Sequence, residues 1–466
     1  MQIPIVEVAP LVKTHGKAFR NVFGNHRQFD HFENYLTGLI VLENKSLTNM
    51  ARCIVDSADK TNGSRFLSEA PWSASVVNER RVSYLLEQSE KMRRSAAESV
   101  LIFDDTLCEH VGTLFEHIDR HYDHGDDRFP IAHNPVTSYY VSGVVRFPVD
   151  LRLYRRYEEM TNWEHFVQVH FPERTIPTKK KERAAFHKEV AAKLLQDPEF
   201  QALDAQFQTK IALAIDLFKQ AETHKLPFGI VLFDSWYLSE ELVGVIKTAN
   251  KDWISLLKKN RTLETNSFSL KDADGKPIAF PNATVQAKDF VPLIPPNAYR
   301  PVTIEGQTYW CFTLTVRIPG LDKIRIVVSF DNPELSGTYA LLVTNRLDWS
   351  MQRILATYLQ RWPIETFYQD GKTCLGLDTY QMRSAEAIGK HWCLVFVAYS
   401  FLHLDCLAAS LKQSPLPAKS IGQACRDQAL ALLEALLVFA ANKIQQGQSA
   451  ASLLATLFAK QRLVAT

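Results

Sequence analysis

The period of apolar and polar positions changes several times along this chain, and each change marks a predicted element. Helical spacing runs through NYLTGLIVLENKSLTNMARCIV and returns in VVNERRVSYLLEQSEKMRRSAAE, with the loop-like DKTNGSR between them. These segments predict a helical N-terminal domain over 1–95. From Ser99 short apolar runs take over, and SVLIFDD, TSYYVSGVVRFPVDLRLY and FGIVLFDS read as strands. A polar stretch, VHFPERTIPTKKKERAAFHKEVAAKLLQD, and the helical FQTKIALAIDLFKQAETHK lie between the last two, and another helix follows FDSWYLSEELVGVIKTAN. Strand, strand, helix and strand in that order predict an α/β unit with a mixed sheet over 96–250. Alternating strands in TYWCFTLTVRI, KIRIVVSF and TYALLVTN predict a β-rich insertion over 251–346. Helical pattern resumes at DWSMQRILATYLQRWPIETFYQDGK, giving a second part of the core over 347–412 and an Ala- and Leu-rich helical C-terminal region over 413–466.

Composition narrows the class. With 466 residues, 46% apolar and 22% charged, the chain is globular and long enough for several domains, which excludes disorder and a disulfide scaffold. The 53 basic residues nearly cancel 51 acidic ones, leaving a net charge of +2, so a nucleic-acid partner must be argued from a local site. Seven cysteines without a C-x-x-C pair fit free thiols in a reducing cytoplasm. The opening MQIPIVEVAP lacks a signal-peptide pattern, and a cytoplasmic location is expected. The apolar run CLVFVAYSFLHLDCLAASL is interrupted by His403 and Asp405, which favours a buried core helix over a membrane span.

Chemistry concentrates at strand ends. LIFDDT places Asp104 and Asp105, and IVLFDSWY places Asp234, where loops leave an α/β sheet and functional groups gather. A turn or helix cap is the better explanation of any one such aspartate taken alone, and two of them shift the balance only modestly. In YLQRWPIETFYQDGK, Tyr358, Arg361, Glu365 and Lys372 would fall within roughly 60° of one another on a continuous helix. Pro363 predicts a kink or a new helix start just before Glu365. The alternative for this stripe is a solvated row of ion pairs. Arg80, Arg81, Lys91, Arg93 and Arg94 could track a phosphate backbone or form a solvated helix face. His117, His121 and His124 share helical spacing, but the segment is acidic and irregular and lacks H-E-x-x-H, which weighs against zinc.

Taken together these residues resemble the cut-and-paste transposases of bacterial insertion sequences, in the DDE superfamily with a ribonuclease-H-like core. Tyr358, Arg361, Glu365 and Lys372 match the Tyr-x2-Arg-x3-Glu-x6-Lys signature of one group, with Trp362 after the arginine. Asp104 and Thr106 match the D-x-T form of the first acidic motif, and Asp234 and Tyr237 the D-x-x-Y form of the second. Asp105 stays open as an alternative to Asp104, because side chains alternate along a strand and only one can face the site. Looser similarity extends to YLTGLIVLENKS and FLSEAPW.

The resemblance implies an α/β, ribonuclease-H-like mixed-sheet core. It also implies a helical N-terminal DNA-binding domain, a β-rich insertion and a C-terminal helical region with dimerisation as a candidate role. Asp104, Asp234 and Glu365 would be the catalytic carboxylates, holding two Mg²⁺ ions, with Mn²⁺ as substitute, since hard oxygen ligands suit these ions and phosphodiester attack needs charge neutralised. Tyr358, Arg361 and Lys372 would contact DNA near the cut. Trp236 and Trp362 could stack on an unpaired base or pack in the core. Lys179, Lys180, Lys181 and Arg183, and Lys258, Lys259 and Arg261, are candidate backbone tracks or solvated loops. The implied reaction is Mg²⁺-dependent cleavage at terminal inverted repeats, then strand transfer into target DNA by a protein that dimerises on DNA. A nuclease without strand transfer and a domesticated DNA-binding protein are the alternatives.

Overall fold

The computed structural model describes residues 2–55, 60–123, 125–412 and 419–462. Strand β1 (Val100–Asp105) runs antiparallel to β2 (Ile131–Ser142), which turns through Gly143, at φ 66°, into β3 (Val145–Tyr154). Strand β4 (Ile230–Phe233) lies parallel to β1, and β5 (Asp252–Leu256) parallel to β4. The order β3-β2-β1-β4-β5, part antiparallel and part parallel, is a mixed α/β sheet of the ribonuclease-H-like kind.

Strands β6 (Arg300–Ile304), β7 (Gln307–Ile318), β8 (Leu321–Phe330) and β9 (Tyr339–Thr344) form an antiparallel meander. Its last strand pairs with β5, Thr344 opposite Ile254. The β-rich segment 251–346 therefore continues the core sheet, which reaches 11 strands, and its first strand is the fifth strand of the core. Pairing is non-local, so nothing within DWISL announces which neighbours it will take.

The main helices among the described residues are α1 (His26–Val41), α2 (Lys60–Ser68), α3 (Ala74–Gln88), α4 (Trp163–His170), α5 (Lys180–Leu194), α6 (Pro198–Gln206), α7 (Lys210–Thr223), α8 (Glu240–Thr248), α9 (Met351–Leu359), α10 (Pro363–Leu375), α11 (Ala385–Lys412) and α12 (Ile421–Gln445). Strand alternation divides the core between the two sheet faces. Val100, Ile102, Ile230 and Leu232 pack with Ile364 and Phe367 of α10, with α11 and with the N-terminal helices. Leu101, Phe103, Val231 and Phe233 pack with Leu213 and Leu217 of α7 and Leu242 of α8. A third, small core holds Trp163, Phe186 and Phe200, so α4 to α6 form a helical module of their own between β3 and α7.

The apolar 393–411 run lies in α11. This helix is long and apolar enough to cross a membrane, but 78% of its most apolar window is buried within the protein. DKTNGSR, expected as a loop, is helical from Lys60 onward in α2, because Phe66 and Leu67 reach the core and packing overrides the turn preference of Asn62 and Gly63. Asp59, His124 and 413–418 lie outside the described residues.

Candidate active site

The site is built at the carboxyl ends of β1 and β4. The two strands are in register, Phe103 opposite Phe233, so Asp104 and Asp234 are the next positions on neighbouring strands, whose usual spacing is about 4.8 Å. Parity then separates the candidates. Asp104 follows Val100 and Ile102 on the α10 side of the sheet, whereas Asp105 follows Leu101 and Phe103 on the α7 side. Asp105 is engaged there: its carboxylate accepts from Lys210 Nζ at 2.7 Å and from the Tyr237 hydroxyl at 2.8 Å. Asp234 closes a local turn by accepting from the Trp236 backbone N–H at 2.9 Å, and Ser255 Oγ donates to its carbonyl at 3.1 Å.

The Tyr-Arg-Glu-Lys stripe does not lie on one helix. Tyr358 is in α9, residues 360–362 form the break, and α10 begins at Pro363, where the missing N–H costs nothing. Glu365 sits in the first turn of α10, where a negative charge complements the helix dipole. From the break, the Arg361 guanidinium donates to Asp104 Oδ2 at 2.5 Å and to Glu365 Oε1. It thereby ties the strand-end acid to the helix-start acid. Lys372, two turns further along α10 on the same face as Glu365, donates to the Leu107 carbonyl at 2.7 Å and so holds the chain leaving β1. The Tyr368 hydroxyl does likewise for the Asp104 carbonyl at 3.1 Å.

Electrostatics set this cluster apart. Burial pushes the Asp104 carboxyl up to about 7; Arg361 opposes the shift, and Asp105 and Asp234 add to it. Asp234 is likewise raised, first by burial. Burial works against the Arg361 charge, but Asp104, Tyr358 and Glu365 hold it above its ordinary value. Burial also raises Tyr358, whose hydroxyl oxygen is inaccessible. Desolvated acids kept close together, with one arginine among them, are the arrangement expected where a site is shaped for chemistry rather than stability.

A cleft of about 880 Å³ opens over Asp104, Asp105 and Asp234. Lys210, Arg156, Lys258 and Lys372 bring positive charge to its walls. Trp236 also lines it and is 53% exposed, and Trp362 is 65% exposed, so neither is a core residue. Lys258 Nζ lies 4.4 Å from the Trp236 ring centroid, a cation held against an open aromatic face. Lys259 instead sits over Tyr339, 4.3 Å from its centroid, in an adjoining groove that Lys258 and Tyr358 also line. Lys179, Lys180 and Lys181 do not line the cleft: they lie at the start of α5 in the helical module, where Lys179 pairs with Glu182. Arg183 is taken up by Glu158 and Glu164. Arg81 faces the interior, donating to Asn78, Ser400 and the Val149 carbonyl, so α3 does not offer it to a phosphate.

Sequence reasoning did not single out Lys210, Asn134 or Arg156, which also line the cleft. No spacing pattern links them to the acids; only the sheet brings β2, the end of β3 and the start of α7 to one place.

For a divalent ion, the donors are suitable: hard carboxylate oxygens on adjacent strand ends, partly desolvated. As they stand, however, no three His, Cys, Asp or Glu side chains among the described residues converge as a metal site, because Arg361 lies between Asp104 and Glu365.

A protein-family profile described as DDE superfamily endonuclease matches residues 18–289, more than half of the chain. The matched stretch includes Asp104 and Asp234 and ends before Glu365. No curated protein matches the chain.

Proposed function

Because the chain belongs to the DDE superfamily of endonucleases, with DNA as the implied substrate and divalent metal ions as the usual helpers, we propose that it is a DNA transposase. It cuts the ends of its element and joins the freed 3′ hydroxyl to target DNA. One observation carries the reading. Asp104 and Asp234 end adjacent in-register strands on the sheet face where the α10 start presents Glu365.

Asp104, Asp234 and Glu365 would hold the metal ions, Mg²⁺ or Mn²⁺. Bound there, they would stabilise charge on the phosphodiester and lower the pKa of the attacking oxygen. The remaining roles belong to side chains of this chain. Lys210 and Tyr237 fix Asp105 and with it the end of β1, so that Asp104 keeps its orientation. Lys372 fixes the following loop. Lys258 and Trp236 form a wall that can take a phosphate and a base together, and exposed Trp362 can meet a second base. The N-terminal helices, 1–95, contribute further DNA contacts. Synapsis of two ends calls for two subunits, and α12 supports this with an outward apolar row, Leu430, Leu433, Leu437 and Ile444, spaced as in a helix–helix seam. The protein works on DNA in the bacterial cytoplasm.

The test is an end-labelled DNA assay with Mg²⁺. Joined products support transposition, nicks alone would reduce the protein to a nuclease, and a gel shift without cleavage would make it a binder. Glu365→Gln should abolish cleavage and keep binding; cleavage that survives it removes Glu365 from the reaction.

A further inference from the structure

The Arg361 side chain is only 17% exposed, and its guanidinium bonds both Asp104 and Glu365. These are two of the three acids that the proposed function assigns to metal. A guanidinium and a divalent cation cannot both occupy that gap, since two like charges a few ångströms apart in a desolvated site repel strongly. Removing Arg361 from its acids without a replacement would leave a poorly solvated charge unpaired, which is costly.

The position of Arg361 gives it somewhere to go. It lies in the break between α9 and α10, its backbone tied to the Tyr358 carbonyl and the Ile364 N–H, so that the move is a rotation of the side chain alone, beside the exposed Trp362. The cleft over Asp104 is where a DNA strand would bring a phosphate, an anion that a planar guanidinium can bind in bidentate fashion.

We propose, resting on the metal-site reading above, that Arg361 is an internal counter-cation that takes the metal's place in the DNA-free protein and is transferred to a DNA phosphate when substrate binds. DNA and metal binding are then coupled. Each relieves the other's cost, and by linkage the coupling is reciprocal. The free protein holds metal weakly, which keeps it from cutting before DNA is seated.

The experiment measures Mn²⁺ affinity by electron paramagnetic resonance of the free ion, using the full-length protein and no turnover. Without DNA, Arg361→Gln should bind Mn²⁺ about tenfold or more tightly than the wild type, and Arg361→Lys should fall between them. A duplex that the protein retains in a gel shift should raise the wild-type affinity towards that of Arg361→Gln, and leave the variant nearly unchanged. Wild-type and Arg361→Gln affinities that agree, while Asp104→Asn abolishes binding, would overturn the counter-cation and spare the metal site. Binding indifferent to Asp104→Asn would overturn both. Arg361→Lys, which keeps the charge, guards against a folding defect in the glutamine variant, and matching thermal melts confirm it.

Discussion

Replacing Asp104 by Asn should make the protein more stable while removing its activity, and the size of the effect depends on pH. In the folded chain burial pushes the Asp104 carboxyl from its ordinary value of 3.8 up to about 7. A carboxyl raised in this way favours the native state while protonated. Its contribution is complete below the unfolded value and is lost as pH climbs through the folded one. The window is thus about 4 to 7. Three pH units at about 1.4 kcal/mol each put the cost of ionising it in the folded state at about 4 kcal/mol above pH 7, and at less than half of that near pH 5. Asparagine keeps the shape and a hydrogen-bond acceptor for Arg361 and carries no charge to desolvate. Urea unfolding followed by tryptophan fluorescence should show the Asp104→Asn midpoint above the wild type at pH 8, with a smaller gap at pH 5. A variant that is less stable than the wild type at pH 8, or a gap that does not change with pH, would show that Arg361 fully compensates the buried charge and that the site stores no such strain.

Three further outcomes follow from the same geometry. Lys258→Ala should weaken DNA binding at every sequence tested and lower the salt slope of the affinity by about one unit; an unchanged slope in fluorescence-anisotropy titrations would take Lys258 off the DNA path. Lys180→Ala, in the helical module away from the cleft, should leave cleavage rates within about twofold, on the usual small effect of changing an exposed charge. Arg81→Met should lower stability by about 3 kcal/mol in denaturant unfolding, since it strips a buried guanidinium from Asn78, Ser400 and Val149, and should leave DNA affinity per folded molecule unchanged.

Local physics wrote much of this protein into its sequence. Short apolar runs in SVLIFDD and FGIVLFDS specified strands whose ends carry aspartates, and Pro363 specified a helix start two residues before Glu365, because side-chain pattern and backbone donors act over a few residues. The acid motifs and the Tyr-Arg-Glu-Lys spacing were legible for the same reason. What the tertiary structure decided is everything that depends on which strands pair. Parity across the sheet turns Asp104 towards α10 and Asp105 towards Lys210, β5 joins the core rather than an insertion, Arg81 is interior, and Arg361 bridges two acids 261 residues apart in number. Such contacts carry no local signature, since a guanidinium follows the same rules of spacing whether its partner is solvent, a neighbour in the helix or an acid delivered by a distant strand.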